Sequence, residues 1–328
     1  MSFRLPLLAA LACAAGAIAF AAETEFDIMT GDFELGPDSL VQEGVPQGRL
    51  EGPFEFHSSI IEGTVRRYWI FVPAQYDPAV PANLLVFQDG QRATNPEGSL
   101  RVQNVLTNLI AKGDIPPTIG IFITPGNRSE SYPDDLGMRN PNNRAQEYDA
   151  VNDRYGRFLI EEMLPEVAKK YNFTADPERR IIGGTSSGAI CAFTVAWNFP
   201  DEFRNVISYI GSYTSIGFRP PSEDNGNQWI PGGQDYPALI RRTFPIKPIK
   251  IFYQDGSNDL DNMWGDWFLA NQQMVGAMNF ANRMAERRDP DGPRYRLRKV
   301  WTDGQHSDQH GGSMLPDVVR WLWSDATE

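Results

Sequence analysis

Five short, unbroken apolar runs recur along the chain, separated by segments whose apolar residues return at helical spacing. They are NLLVFQDG at 83–90, TIGIFITPG at 118–126, RRIIGG at 179–184, NVISYIG at 205–211 and IKIFYQDG at 249–256. A strand that is apolar on both faces must be covered on both faces, which is the condition of a parallel sheet inside an α/β domain. The intervening helical patterns are Leu100–Lys112, Ala150–Tyr171, Ala189–Asn198 and Phe268–Arg288, with YRLRKVW and a last helix over Leu315–Trp323 completing the alternation. Strand and helix trade places at least five times, which predicts an α/β fold: a mostly parallel central sheet with helices on both faces. Before it, GPFEFHSSI and VRRYWIFVP read as an antiparallel strand pair closed by Pro73. The segments 125–149 and 212–248 are long, polar and rich in Gly, Pro or Asn, as loops that shape a site often are.

The 328 residues suffice for one such domain, placed at 51–328. Residues 22–50, acidic and rich in Gly and Pro, read as an extended lead-in. The first 21 residues carry Arg4, the apolar run LLAALACAAGAIAF and small residues at Ala19 and Ala21, the pattern of a signal peptide cut after about Ala21 or Ala22. A retained membrane anchor is the alternative, but the run is short for a span. The expectation is a secreted or periplasmic protein with no membrane association once the signal is cleaved. Of the two cysteines, Cys13 leaves with the signal, so Cys191 has no internal partner for a disulfide. Sequons at Asn127 and Asn172 matter only in a glycosylating host. The net charge of −12 argues against nucleic acid or an anionic membrane as partner and leaves small neutral substrates open.

RRIIGG runs directly into TSSGAIC, so Gly184-Thr185-Ser186-Ser187-Gly188 fits G-x-S-x-G between a strand and a helix. That context is what a nucleophile elbow requires, because the sharp turn leaves no room for side chains two residues either side of the serine. The plainer reading is a glycine-rich turn with an incidental serine. A serine hydroxyl needs a base, and a base needs an orienting acid. The chain has three histidines. His57 precedes the serine on an expected edge strand and reads as a surface residue. His306 and His310 lie in TDGQHSDQHGG, taken as a loop before the last helix; His306 is the first choice as base and His310 the alternative. IFYQDGSNDLDN supplies acids at a strand end: Asp259 first, Asp255 and Asp261 as alternatives. A calcium loop there lacks the glycine and flanking helix of an EF-hand, and His306 with His310 lacks a third zinc ligand, so no metal or other cofactor is expected. For an oxyanion, the backbone N–H of Ser187 is one candidate donor and that of Gln91, after the Asp89-Gly90 turn, the other.

With these residues in place, FVPAQYDP, VFQDGQ, GGTSSGAICAFTVAW, GSNDLDN with GDWFLANQQM, and GQHSDQHGG followed by LPDVVRWLW together resemble the enterochelin-esterase-like "putative esterase" family of the α/β-hydrolase superfamily, over about residues 50–325. The resemblance implies an α/β-hydrolase fold and a carboxylic ester hydrolase with Ser186, Asp259 and His306 as its triad, which with the signal pattern reads as an exported serine esterase. Feruloyl and acetylxylan esterases and S-formylglutathione hydrolases belong to related branches. The loop after the early strand reads QDGQ where many relatives have His-Gly. Two other readings stay open. One is an esterase acting on carbohydrate-linked acetyl or feruloyl groups, with Trp229, Trp264 and Trp267 able to stack on sugar. The other is an exported binding protein that keeps the scaffold without the reaction. The expected partner is a small-molecule or glycan-linked ester.

Overall fold

In the computed structural model, residues 27–136 and 141–324 are described; the expected signal peptide lies outside them. The chain order is β1 (Ile28–Met29), β2 (Arg49–Ser58), β3 (Thr64–Val72), β4 (Asn83–Gln88), α1 (Gly90–Ala93), α2 (Val102–Lys112), β5 (Thr118–Ile123), α3 (Arg144–Tyr148), α4 (Arg154–Arg157), a π-helical turn (Phe158–Met163) and α5 (Leu164–Ala168). It continues through β6 (Arg180–Thr185), α6 (Ser187–Asn198), β7 (Asn205–Tyr209), α7 (Tyr236–Arg242), β8 (Lys250–Gly256), β9 (Asp261–Asn262), β10 (Gly265–Asp266), α8 (Trp267–Arg288), β11 (Arg296–Thr302) and α9 (Gln309–Leu322).

All five apolar runs form strands, each buried along its whole length, in one nine-stranded sheet ordered β1-β11-β8-β7-β6-β4-β5-β3-β2. Only β2 and β3 run antiparallel to their neighbours; the other ladders are parallel. Side chains alternate across the pleat, so each strand feeds two cores. Leu84, Val86 and Ile182 face α4–α8, where they meet Phe158, Ile190 and Met274. Leu85, Phe87 and Ile181 face α2 and α9, where they meet Val105, Leu106 and Val319. The strand order reverses beside β4, since β5 follows on one flank and β6 on the other. In such sheets the crevice beyond the carboxyl ends of the two diverging strands is where ligands bind. Here those ends carry Asp89 and Ser186.

Three elements depart from the sequence reading. The helix expected over Ala150–Tyr171 begins at Arg154, because Asn152 Oδ1 accepts the Arg154 N–H (3.0 Å) and holds the preceding residues in a turn. The last helix begins six residues before Leu315, at Gln309. Gly311 and Gly312, which read as a loop, are required within it, because a Cβ would stand 2.5 Å from the Tyr209 ring and 2.1 Å from the Ser99 carbonyl oxygen. The lead-in, finally, contributes β1, which pairs in parallel with Trp301 and Thr302 at the sheet edge.

The segment between β5 and α4 is fixed by buried charge. Arg66 on β3 and Glu147 on α3 form a bidentate pair at 2.9 and 3.1 Å, and Glu147 also accepts from Gly126 N and Asn143 Nδ2. Two residues on, Asp149 is 1% exposed. Neither of its oxygens has a hydrogen bond of ordinary geometry, although the Ser187 hydroxyl lies near enough to favour the charged form. Burial dominates and raises its pKa to about 7, with Arg144 opposing the rise.

Asp149 therefore binds its proton more tightly folded than unfolded. Its contribution to stability is full below the unfolded carboxyl range and is lost as pH rises towards about 7. Asp149→Asn removes that loss. In urea unfolding the variant should gain on the wild type by a few kcal/mol between about pH 4 and about pH 8. A difference that stays constant over this range would contradict the assignment.

Candidate functional site

Ser186 sits between β6 and α6 with φ 57° and ψ −123°. This region is almost closed to residues with a side chain and costs of order 1–3 kcal/mol. The flanking glycines make the turn possible: a Cβ on Gly184 would lie 2.4 Å from the Gly188 carbonyl carbon, and one on Gly188 would press on Gln88 and Asp89. The turn is tied down at both sides. Ser186 N donates to the Tyr209 carbonyl (2.9 Å), and its own carbonyl accepts from Ser212 N (3.2 Å).

Above this turn three side chains from three separate strand ends meet. His306 Nε2 lies 2.9 Å from Ser186 Oγ, and His306 Nδ1 lies 2.5 Å from Asp259 Oδ1. Asp259 follows β8, and its side chain is fully buried; Oδ1 also accepts the Leu260 N–H. His306 follows β11 and is partly exposed, so the serine–imidazole edge faces the opening while the carboxylate is shut away. A carboxylate accepts only, so the imidazole proton resides on Nδ1 and Nε2 is left with a lone pair facing the serine hydroxyl.

The alternatives go elsewhere. His310 is in the first turn of α9, not in a loop. Its Nδ1 bonds Thr302 Oγ1 at 2.7 Å and its ring stacks on Phe33 at 3.9 Å. Burial lowers its pKa. Asp261 is exposed in the β9–β10 hairpin. Asp255, completely buried behind Asp259, accepts from Gly256 N (2.7 Å) and Asn271 Nδ2 (2.6 Å). Burial and then the hydrogen bond and charge of Asp259 push its pKa well up. His57 is exposed on the edge strand β2.

The loop after β4 comes alongside. Asp89 adopts a left-handed conformation (φ 54°) and is gripped by Arg144 through two bonds of 2.9 and 2.8 Å. Gln91 falls in the first turn of α1, and Ser187 is the first residue of α6. Neither backbone N–H has an acceptor among the described residues. Two such N–H groups, one on each side of the crevice, are suited to a developing oxyanion. Among the described residues no cluster of three or more His, Cys, Asp or Glu is placed to hold a metal, and no helix is long and apolar enough to cross a membrane.

Two further side chains reach this centre: Ser212, which carries no signal in the sequence, and Trp267, read there only as able to stack on sugar. Ser212, two residues past Ile210, brings its Oγ within 3.1 Å of Ser186 Oγ. Trp267, the first residue of α8, donates its indole N–H to Ser212 Oγ at 3.0 Å and stands edge-on to the His306 ring. Trp267 is thus core and unavailable for stacking on sugar, whereas Trp229 and Trp264 are 64% and 40% exposed.

Several known proteins similar to this chain are named as esterases. Iron(III) enterobactin esterase of Dickeya dadantii (strain 3937) is 22% identical over 260 residues, covering 78% of this chain and 51% of that protein. The ferric enterobactin esterase structure from Salmonella typhimurium superposes with TM-score 0.62 at 20% identity, over 89% of this chain and 62% of that one. A ferulic acid esterase from Anaeromyces mucronatus, solved with ferulic acid, gives TM-score 0.61 at 15% identity, over 88% and 96%. The chain thus spans about half the length of the enterobactin esterase it matches in sequence. Both structural likenesses establish the α/β-hydrolase fold. Residues 59–307 match the family described as "Putative esterase", and with that span the chain belongs to this esterase family.

Proposed function

We propose that this protein is a carboxylic ester hydrolase working by two-step acyl transfer. The observation that carries the reading is the continuous hydrogen-bonded line Ser186–His306–Asp259, drawn from three strand ends at the crevice. As Ser186 Oγ attacks the ester carbonyl, His306 Nε2 takes its proton, and Asp259 holds the imidazole in the required tautomer and balances the imidazolium. The N–H groups of Ser187 and Gln91 receive the oxyanion. His306 returns the proton to the leaving alcohol, then draws one from water as the water attacks the acyl-enzyme, and Ser186 is regenerated. The names of the relatives, an iron(III) enterobactin esterase and a ferulic acid esterase, make enterobactin and feruloyl esters the substrates to test first. The exposed Trp229 and Trp264 favour a carbohydrate-linked ester as the second reading. Export belongs to the same proposal, on the strength of the N-terminal signal pattern.

Ser186→Ala should reduce hydrolysis of p-nitrophenyl acetate by at least about 10⁴-fold and abolish fluorophosphonate labelling, with the fold retained. Undiminished turnover would refute the nucleophile. A wild-type chain that never labels would instead favour a binding protein on this scaffold. His310→Gln should keep activity within severalfold of wild type, while His306→Gln should fall with Ser186→Ala. The reverse order would exchange the two histidines. Mass spectrometry of the exported chain should find its N-terminus at Ala22 or Glu23; an intact Met1 in the exported fraction would rule out cleavage there.

A further inference from the structure

A serine hydroxyl oxygen has one proton to give and two lone pairs. At Ser186 the proton faces His306 Nε2 at 2.9 Å. One of the lone pairs faces Ser212 Oγ at 3.1 Å. Which of the two hydroxyls donates is decided by their other partners. The indole N–H of Trp267 is a donor only, and it reaches Ser212 Oγ at 3.0 Å. Trp267 and Ser212 are 2% and 1% exposed. Among the described residues the Ser212 oxygen has Trp267 and Ser186 as its only side-chain partners. Because His306 Nε2 takes the Ser186 proton, Ser186 Oγ is the acceptor in the contact with Ser212, and the Ser212 proton goes to it. At the far end Asp259 only accepts, so a donor-only indole and an acceptor-only carboxylate set every proton between them.

We infer that Ser212 is a fourth side chain of the reaction centre, a fixed donor to the attacking oxygen of Ser186, clamped by Trp267. The inference rests on Ser186 being the nucleophile. With one direction around Oγ given to His306 and one to Ser212, a single lone pair remains to form the new bond. On attack the O–H bond of Ser186 breaks towards His306 Nε2, the free lone pair forms the C–O bond, and the carbonyl π electrons move to the oxygen. The Ser212 proton stays on Ser212. When the acyl-enzyme is hydrolysed the C–O bond breaks, its electron pair returns to Oγ, and Oγ takes its proton from His306 while Ser212 spreads the charge. Trp267 acts through Ser212 and is a positioning residue. The Ser212 backbone N–H, bonded to the Ser186 carbonyl at 3.2 Å, keeps the two hydroxyls in register.

The test is a double-mutant cycle on the full chain, with fluorophosphonate labelling for the attack step and p-nitrophenyl acetate for turnover. Ser212→Ala should label and turn over about tenfold or more slower, with KM within about twofold of wild type. Trp267→Phe keeps a ring beside His306 but removes the donor and should also slow both steps. The double variant should be no slower than Ser212→Ala alone, because Trp267 has nothing left to hold. Labelling by Ser212→Ala at the wild-type rate, or losses that multiply in the double variant, would overturn the inference. If Trp267→Phe does not fold, Ser212→Cys replaces it. Its thiol has similar volume but donates weakly, and should be as slow as Ser212→Ala; wild-type speed would count against the inference. Ser186→Ala run alongside separates the two ideas. Labelling that survives in Ser186→Ala defeats the nucleophile, whereas an unlabelled Ser186→Ala beside a full-speed Ser212→Ala defeats only the role of Ser212.

Discussion

The backbone at Ser186 is held where a residue with a side chain does not go unforced, and the surrounding structure is arranged to hold it there. The angles of 57° and −123° put the hydroxyl on the outside of the bend, above the carboxyl end of β6. The restraint comes from central strands: Tyr209 on β7 accepts the serine N–H, Ser212 donates to its carbonyl, and Gly184 touches Gly188 with no room for a methyl group. Two neighbouring strands exit through left-handed residues as well, β4 at Asp89 (φ 54°) and β7 at Ile210 (φ 42°). A buried parallel sheet cannot bend, so the strain is absorbed at its carboxyl edge, where the chain leaves each strand.

Charge is distributed over the same edge with some care. Besides Asp259, three buried carboxyls lie within or next to the site, and they are not equivalent. Asp89 is neutralised by two bonds from Arg144. Asp149 has no hydrogen bond of ordinary geometry, and burial raises its pKa to about 7. Burial, and then the neighbouring Asp259, push the pKa of Asp255 well up. Asp259 is the one aimed at His306, where an imidazolium would benefit from its charge. Like charges this close cannot both ionise in a dry site, and burial decides which one gives way.

Much of this was legible in the sequence because the signals are local. Unbroken apolar runs of six or seven residues have few ways to fold in an alternating chain, so the five central strands and the helices between them could be read directly. Glycines two residues either side of Ser186 announce a turn without side chains. The order of an acid loop and a histidine loop follows from strand order. What stayed hidden depends on tertiary contact. Asp255, Asp259 and Asp261 are alike in sequence, and only the direction in which β8 delivers each one separates them. His310 read as loop because Gly311 and Gly312 read as loop, yet both glycines lie within a helix packed too closely on Tyr209 and Ser99 for anything larger. Ser212 matches no motif, and nothing in the sequence joins it to Trp267, 55 residues away.

The division of labour in the fold follows from these differences. The side chains proposed to do chemistry are delivered by the ends of β6, β8 and β11, whose spacing is fixed by ladder hydrogen bonds through β7. The exposed apolar side chains lie instead on the long connections after β5 and β7 and on the β9–β10 hairpin. Leu136, Trp229, Ile230, Met263 and Trp264 are all substantially exposed there. Exposed apolar side chains on connections beside a rigid centre are the part of a hydrolase that can change without disturbing the reaction. This explains how enterobactin and ferulic acid esterases can share a sheet with this chain at 15–22% identity. The geometry of bond breaking belongs to the sheet, and the choice of ester belongs to the loops above it.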